Sequence, residues 1–371
     1  MKICIATDFH LSYKQYGLEE REQDFYKQYE IMIDKIIEEK PQVFLILGDI
    51  FDTPYPKPIS IKKFEEGLNK LQEHNIKTYG IVGNHTMIQR KNYYPIDNIF
   101  DDKYTLLNEK GIVIDDIFIG GLNYHPKTHD IKPLIDKLYE EAKGCKVKIL
   151  MLHQILKQDQ NIGYDYDEDE LGLDRFDYVF LGHLHKRTTR HKGNTTIHYV
   201  GSLNSCNVTE LIDEMRYGRG YTVLDIKPFV EMYHMALPPQ REYIQYNLKD
   251  GGLNDKFIDD VIESLNGYDV KPVVMLKTMG NCAKDVYEFS KKLEDCSLIV
   301  KQNISLESQE TSLGVDDGGF GGGVEKMLED SFDEDWKSDL AIGLFRALSC
   351  GDVDGALELA DEVYVSEKHT F

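Results

Sequence analysis

The chain has 371 residues, 41% of them hydrophobic, and a formal net charge of −22. That length predicts two or three domains with ample core, and so acidic a balance argues against a surface coated in basic residues for gripping nucleic acid. A local basic groove, or cations that bring their own positive charge, stays compatible with it.

In chain order, "KICIAT" (2–7) reads as a strand in which Cys4 is a small buried residue. "REQDFYKQYEIMIDKIIEEK" (21–40) reads as a helix, with Phe25, Tyr29, Met32, Ile33, Ile36 and Ile37 at helical spacing. "QVFLIL" (42–47) is a buried strand by its continuous apolarity, and "SIKKFEEGLNKLQEH" (60–74) is a helix facing inward through Ile61, Phe64, Leu68 and Leu71. Further strands are "KTYGIV" (77–82), "KVKILML" (146–152), "DYVFLG" (177–182), "TTIHYV" (195–200) and "GYTVLDI" (220–226). Strands alternating with helices place the chain in the α/β class.

Past residue 235 the pattern becomes β-α-β-α-β, enough for a small separate α/β domain over 236–304. Residues 305–325, rich in Gly, Ser and Asp, read as a flexible linker. Residues 326–371 hold two helical patterns, with Trp336, Leu340, Leu344, Phe345 and Leu348 roughly on one face. Such a pair is short of core partners of its own, so it docks on its own domain, frays, or serves as a partner-binding segment. There are no internal repeats. The six cysteines form no CxxC pair, so neither a zinc knuckle nor a redox motif is present. "MKICIATDFH" turns polar too early for a signal peptide. No apolar run approaches the roughly 18 residues of a membrane span. Reduced thiols and a cytoplasmic location are expected.

The strand ends carry the chemistry. Strand one runs into "TDFH", with Asp8 and His10 two apart; strand two into "GDIFD", with Asp49; strand three into "GNHT", with Asn84 and His85. His153 follows "KVKILML", and "LGHLHKR" brings His183 and His185. Singly, each has an ordinary explanation: a turn after a strand, a satisfied core histidine, or polar side chains at a strand–loop junction. Together they match the rule that α/β sheets gather ligands beyond the carboxyl ends of their strands. Imidazoles mixed with carboxylate oxygens suit manganese, iron or zinc and suit calcium poorly. Seven or more donors oversupply one cation. A pair about 3.5–4 Å apart uses them well, with Asp49 as the natural bridge.

The series D-x-H, GD-x-x-D, GNH, H, GHxH resembles the calcineurin-like metallophosphoesterase superfamily. Within it, "HLSYKQYGLEEREQDF" (10–25), "LGDIFDTPYPKP" (47–58), "ILMLHQ" (149–154), "LGHLHKR" (181–187) and "YVGSLN" (199–204) resemble the archaeal double-strand-break repair nucleases of the meiotic-recombination-eleven family, whose bacterial relative is SbcD. The resemblance covers residues 1 to about 235 and continues more weakly beyond. It implies a two-sheet sandwich flanked by helices (1–235), a small α/β capping domain (236–304) and a C-terminal helical segment (326–371) that binds an ATPase. It implies two Mn²⁺ ions per subunit, with other divalent cations as alternatives. One would be held by Asp8, His10, Asp49 and His185, the other by Asp49, Asn84, His153 and His183. His85 would be the catalytic histidine beside the scissile phosphate, where acid–base work is typically worth about 10²–10⁴-fold.

The implied activity is exonuclease on duplex DNA ends and endonuclease on single strands. The implied partners are a second copy, through helices near 60–74 and 92–100, an SMC-like coiled-coil ATPase (Rad-fifty in archaea, SbcC in bacteria) and DNA, with no membrane. Tyr13, Lys14 and Gln15, Arg90 and Lys91, and Lys186, Arg187 and Arg190 follow the ligand motifs and are candidate phosphate contacts; Arg21 reads as a structural ion pair. Two departures stand out: Thr86 occupies the place of a usual acidic residue, and Ser12 that of a usual glycine. Competing readings are a phosphoesterase of the same superfamily with a non-DNA substrate, and a non-catalytic repair scaffold.

Overall fold

The computed structural model describes residues 1–305 apart from 88–94, 101, 161–162, 208–209, 211–217, 228, 250–252 and 280–282. Arg90 and Lys91, nearly all of the expected linker and the whole helical tail therefore lie outside the described residues.

Two six-stranded sheets form the larger part. The first is built on β1 (Lys2–Ala6), β2 (Val43–Ile46), β3 (Lys77–Gly80) and β4 (Tyr104–Leu106), all parallel. The second contains β5 (Lys110–Ile114), β6 (Ile117–Gly121), β7 (Val147–His153), β8 (Tyr178–Gly182), β9 (Thr188–Lys192) and β10 (Thr195–Tyr199), in the order β5-β6-β7-β8-β10-β9. Its inner strands β6, β7, β8 and β10 are parallel, and its edges are antiparallel. β11 (Arg219–Lys227) and β12 (Phe229–Leu237) then close the first sheet antiparallel beside β1.

Residue alternation explains the layering. Ile3, Ile5, Val43 and Leu45 point between the sheets and meet Ile119, Ile149, Met151 and Phe180. Cys4, Ala6, Phe44 and Ile46 point the other way, under α1 (Glu19–Glu39) and α2 (Pro58–Glu73). Both faces are buried, so these strands read as unbroken apolar runs rather than alternating ones. Phe25, Tyr29, Met32, Ile33 and Ile36 supply the buried face of α1; Phe64, Leu68 and Leu71 supply that of α2. Each such side chain contributes about 1.5–3 kcal/mol when fully buried. The outer face of the second sheet is covered by α3 (Lys132–Ala142) through Ile135 and Leu138.

The region implied as a dimer helix over 92–100 is described only in part. Ile96–Phe100, within its described part, is a 3₁₀ helix, and residues 92–94 lie outside the described residues.

A third sheet follows: β13 (Tyr243–Lys249), β14 (Val273–Met279) and β15 (Ile299–Ser305), parallel and in that order. α4 (Asp255–Asn266) and α5 (Ala283–Lys292) connect them. It has its own core of Leu248, Val261, Leu265, Val274, Leu276, Val286 and Phe289. Arg241, just before it, donates to the Asp24 carboxylate at 2.7 Å, and the Tyr243 hydroxyl donates to Gln15 Oε1 at 2.9 Å.

Candidate metal centre

Each predicted ligand sits just past, or at, the C-terminal end of a parallel strand: Asp8 and His10 after β1, Asp49 after β2, Asn84 after β3, His153 closing β7, His183 and His185 after β8. The chain turns abruptly there. Asp8, His10, Asp49 and His183 have φ of 54°, 47°, 47° and 76°. This left-handed region costs an L residue about 1–2 kcal/mol, and Asp and His tolerate it better than most. Such strain persists where the surroundings over-determine it, and it collects at functional sites. Glycines make the approach possible. Gly48 has φ +99°, and a Cβ there would sit 2.6 Å from His153 Nδ1; a Cβ on Gly83 would strike the Asp49 carboxylate.

The side chains converge. His10 Nε2 is 3.1 Å from His185 Nε2, and Asp8 Oδ1 lies 3.8 Å from His185 Nε2 and 4.0 Å from His10 Nε2. On the other side, His153 Nε2 is 3.1 Å from both Asp49 Oδ2 and Asn84 Oδ1. Ligand atoms of Asp8, His10 and Asp49 lie within 4.8 Å of one another, as do those of Asp49, His153 and His183. Asp49 belongs to both groups, and so all seven predicted ligands meet at one place.

The donor set fits cations. His153 Nδ1 donates to the Leu47 carbonyl at 2.6 Å, so in the neutral ring Nε2 carries a lone pair. That lone pair faces two oxygens with no intervening proton, an arrangement a cation resolves. Without one, protons are drawn in instead. Burial alone would raise the Asp49 carboxyl, but the charge and hydrogen bond of His153, with His10 and His85 behind, hold it well below the usual carboxylate range. Burial would lower His153, yet Asp49 and Asp8 raise it to about 9. At His185 burial is likewise outweighed, by Cys206, Glu210 and Asp8, and its pKa lies well above the ordinary value. His183 goes the other way, to about 3, through burial and the neighbouring His153 charge.

His85 stands beside this cluster with 39% of its side chain exposed. Its ring lies 4.6 Å from that of His10, its backbone N–H donates to Asp49 Oδ1 at 2.9 Å, and its Nδ1–H donates to the Asp52 carbonyl at 2.8 Å. Nε2 is thereby the nitrogen left to exchange a proton.

The basic and polar candidates fall out differently. Tyr13 donates its hydroxyl to the Cys206 carbonyl at 3.1 Å, and Lys14 pairs with Glu19 at 3.3 Å. Gln15 is buried, donating to the Ser205 carbonyl and accepting from Arg21. Arg21 pairs with Asp24 at 2.5 Å, the structural role expected of it. Arg190 binds Asp159 through two bonds of 2.8 Å and also pairs with Glu168, so its guanidinium holds the fold together and is not presented to a ligand. Arg187 is half-buried near His198 and His234, whose low pKa values follow from burial first and its charge second. Lys186 is exposed.

Carboxylates stand behind three of the histidines: Asp52 closes the GD-x-x-D motif, while Glu210 and Asp165 lie outside every motif. Glu210 Oε1 accepts from His185 Nδ1 at 2.9 Å, Asp52 lies 3.4 Å from His10 Nδ1, and Asp165 lies 3.7 Å from His183 Nε2. Such carboxylates orient a ligand ring and raise its basicity. Thr86 is fully buried, and beside its hydroxyl lies Asp97, also fully buried, whose carboxyl is pushed up to about 6 by desolvation. Thr86, the motif departure, thus has a buried acidic neighbour eleven positions later in the chain.

No helix among the described residues is long and apolar enough to cross a membrane. The chain is 29% identical to the DNA double-strand break repair protein Mre11 of Methanocaldococcus jannaschii, over 98% of each chain. It is 26% identical to the Mre11 of Methanococcus maripaludis, over 97% of this chain and 98% of the other. It is 28% identical to the Mre11 of Thermoplasma acidophilum, over 75% of this chain and 77% of the other. A sequence model of calcineurin-like phosphoesterases matches residues 1–187, from the first strand to just beyond His185. Because that match takes in every strand end described above, the chain belongs to the calcineurin-like phosphoesterase family.

Proposed function

We propose that this phosphoesterase is a manganese-dependent DNA nuclease that processes double-strand breaks, as an exonuclease on duplex ends and an endonuclease on single strands. One observation carries the reading: metal-type donor atoms from five strand ends converge around Asp49. Similarity to Mre11 proteins across nearly the whole chain supports DNA as the substrate. In this assignment Asp8, His10, Asp49 and His185 hold one cation, and Asp49, Asn84, His153 and His183 hold the second. The cation pair supplies an activated water and a clamp for phosphate oxygens. The chain supplies the rest. Asp49 fixes His85 through its backbone N–H, and the Asp52 carbonyl fixes its tautomer, leaving Nε2 to deliver a proton to the departing sugar oxygen.

Lys14 and Lys186, on the loops after His10 and His185, meet DNA phosphates, and their contribution weakens as salt rises. The sheet of β13–β15 belongs to a capping domain spanning 236–304 beside a nuclease domain of 1–235. Residues 305–325 link these to a segment, 326–371, that binds an SMC-like coiled-coil ATPase, and the working unit is a cytoplasmic homodimer. The test is a nuclease assay on end-labelled duplex and single-stranded DNA, comparing manganese with magnesium, with Asp49→Ala as control. Manganese-dependent nucleotide release, abolished in the variant, is expected. Bound metal with hydrolysis of small phosphoesters only would overturn the DNA assignment.

A further inference from the structure

Cys206 is the described cysteine that stands among metal-type donors. One ligand atom from each of His10, His185 and Cys206 lies within 4.8 Å of the other two. Cys4 and Cys296 are instead buried in apolar cores, and Cys145 packs against the core beneath α3. We propose that Cys206 is a sulfur ligand at the Asp8–His10–His185 corner, and that it makes this corner a closed site for thiophilic divalent cations of the zinc and cadmium class. The proposal rests on the two-cation reading above and adds a second, inhibitory occupant to one of its positions.

The placement of the sulfur is constrained. The Cys206 N–H donates to Glu210 Oε2 at 2.9 Å, while Oε1 of the same carboxylate accepts from His185 Nδ1 at 2.9 Å. One side chain therefore sets both the ring and the cysteine backbone. The Cys206 carbonyl is held from the other side by the Tyr13 hydroxyl at 3.1 Å. The thiol's contact with the Asn204 carbonyl is long, 3.9 Å, and offers little to compete with a metal–sulfur bond.

The imidazole and carboxylate spacings lie near those of a tetrahedral zinc site, and the sulfur, within 4.8 Å of both imidazoles, has to move in to complete it. Zinc arms of about 2.0–2.3 Å put tetrahedral donors about 3.3–3.8 Å apart. The His10–His185 edge is already 3.1 Å, and Asp8 stands 3.8 and 4.0 Å from those two nitrogens. Drawing the sulfur in releases the thiol proton to solvent and completes a carboxylate, two imidazoles and a thiolate, with Asp49 left to the second cation position. Sulfur favours zinc or cadmium over manganese, which prefers oxygen and nitrogen. A four-ligand zinc site is saturated, whereas a catalytic one keeps a position open. Zinc held in this way blocks the corner that manganese would share with substrate.

The full-length, chelator-treated protein is titrated with cobalt(II), a spectroscopic stand-in for zinc. A near-ultraviolet sulfur-to-cobalt charge-transfer band is expected in the wild type. In Cys206→Ser and Cys206→Ala it should vanish while the visible absorption of bound cobalt persists; circular dichroism checks that both variants fold. Competition calorimetry should show zinc losing about tenfold or more in affinity relative to manganese in either variant. Bound cobalt without the band, a band unchanged in both variants, or equal losses for zinc and manganese would overturn the role of Cys206 and leave the two-cation centre standing. Failure of any cation to bind would remove both.

Discussion

The buried Asp97 carboxyl makes stability depend on pH with a sign opposite to that of most acidic residues. It ionises near 3.8 in the unfolded chain and at about 6 in the fold, because burial disfavours its charge. Below 3.8 it is protonated in both states, and its contribution to stability is fully present. As pH rises, the unfolded chain ionises first and is stabilised, and the folded carboxyl follows only near 6, so stability is lost across that interval. One pH unit corresponds to about 1.4 kcal/mol, which makes the total loss about 3 kcal/mol, with about 2 kcal/mol of it between pH 4.5 and 7.5. Asp97→Asn keeps the shape and removes the titration. Urea unfolding of both proteins at the two pH values, with chelator present, gives a difference of differences in which any packing change cancels. The variant should gain about 2 kcal/mol on the wild type as pH rises from 4.5 to 7.5. A difference independent of pH would show that Asp97 ionises normally and that its burial is relieved by solvent.

Removing His85 as His85→Ala should preserve cation and DNA binding while cutting turnover by about 10²–10⁴-fold; cleavage at the wild-type rate would exclude it from proton transfer. Glu210→Gln should weaken cation binding by about 10–100-fold, because the His185 ring loses its anionic partner; calorimetry reads this directly, and unchanged affinity would mean that the ring is held by packing alone. His153 keeps a proton up to about pH 9 in the metal-free protein. A cation needs that lone pair, so affinity should rise with pH up to about 9 and binding should release protons, measurable as a buffer-dependent heat. Binding that is flat from pH 6 to 9 would contradict the lone-pair argument.

The sequence disclosed the centre well because its ligands are local events: a polar residue within a few positions of the end of an apolar run, five times over. What it hid depends on chains meeting. Glu210 is 25 positions from the His185 it orients, Asp165 is 18 from His183, and nothing in their own neighbourhoods marks them. Asp97 sits in "IDNIF", where a surface turn is the natural reading, yet the fold buries it completely. Among the strands, those buried on both faces were legible as apolar blocks. β9, "TTRHK", is a polar edge strand, and β6, "IFIGG", ends in two glycines; neither pattern announces a strand. The same limit explains Arg190. Its position after the fifth motif suggested phosphate, but Asp159, 31 positions away, had already taken the guanidinium.

The segment after His10 joins the metal corner to the third sheet, and that connection can be broken at one residue. Tyr13 bonds the Cys206 carbonyl, Gln15 bonds Ser205 and Tyr243, and Asp24 sits between Arg21 at 2.5 Å and Arg241 at 2.7 Å. All three members of this ion cluster are buried, at 7% exposure or less. A buried charge pair adds little net stability over apolar packing, but removing one partner strands the other in a medium that solvates it poorly. Asp24→Ala strands two guanidinium groups at once. It should cost about 3–5 kcal/mol of unfolding free energy, and it should loosen the attachment of the third sheet at the point where that sheet meets the His10 loop. Cation affinity should then fall together with stability even though no ligand has been touched. A variant that loses the stability and binds manganese as the wild type does would show that the metal corner is rigid by itself and that the third sheet only rests against it.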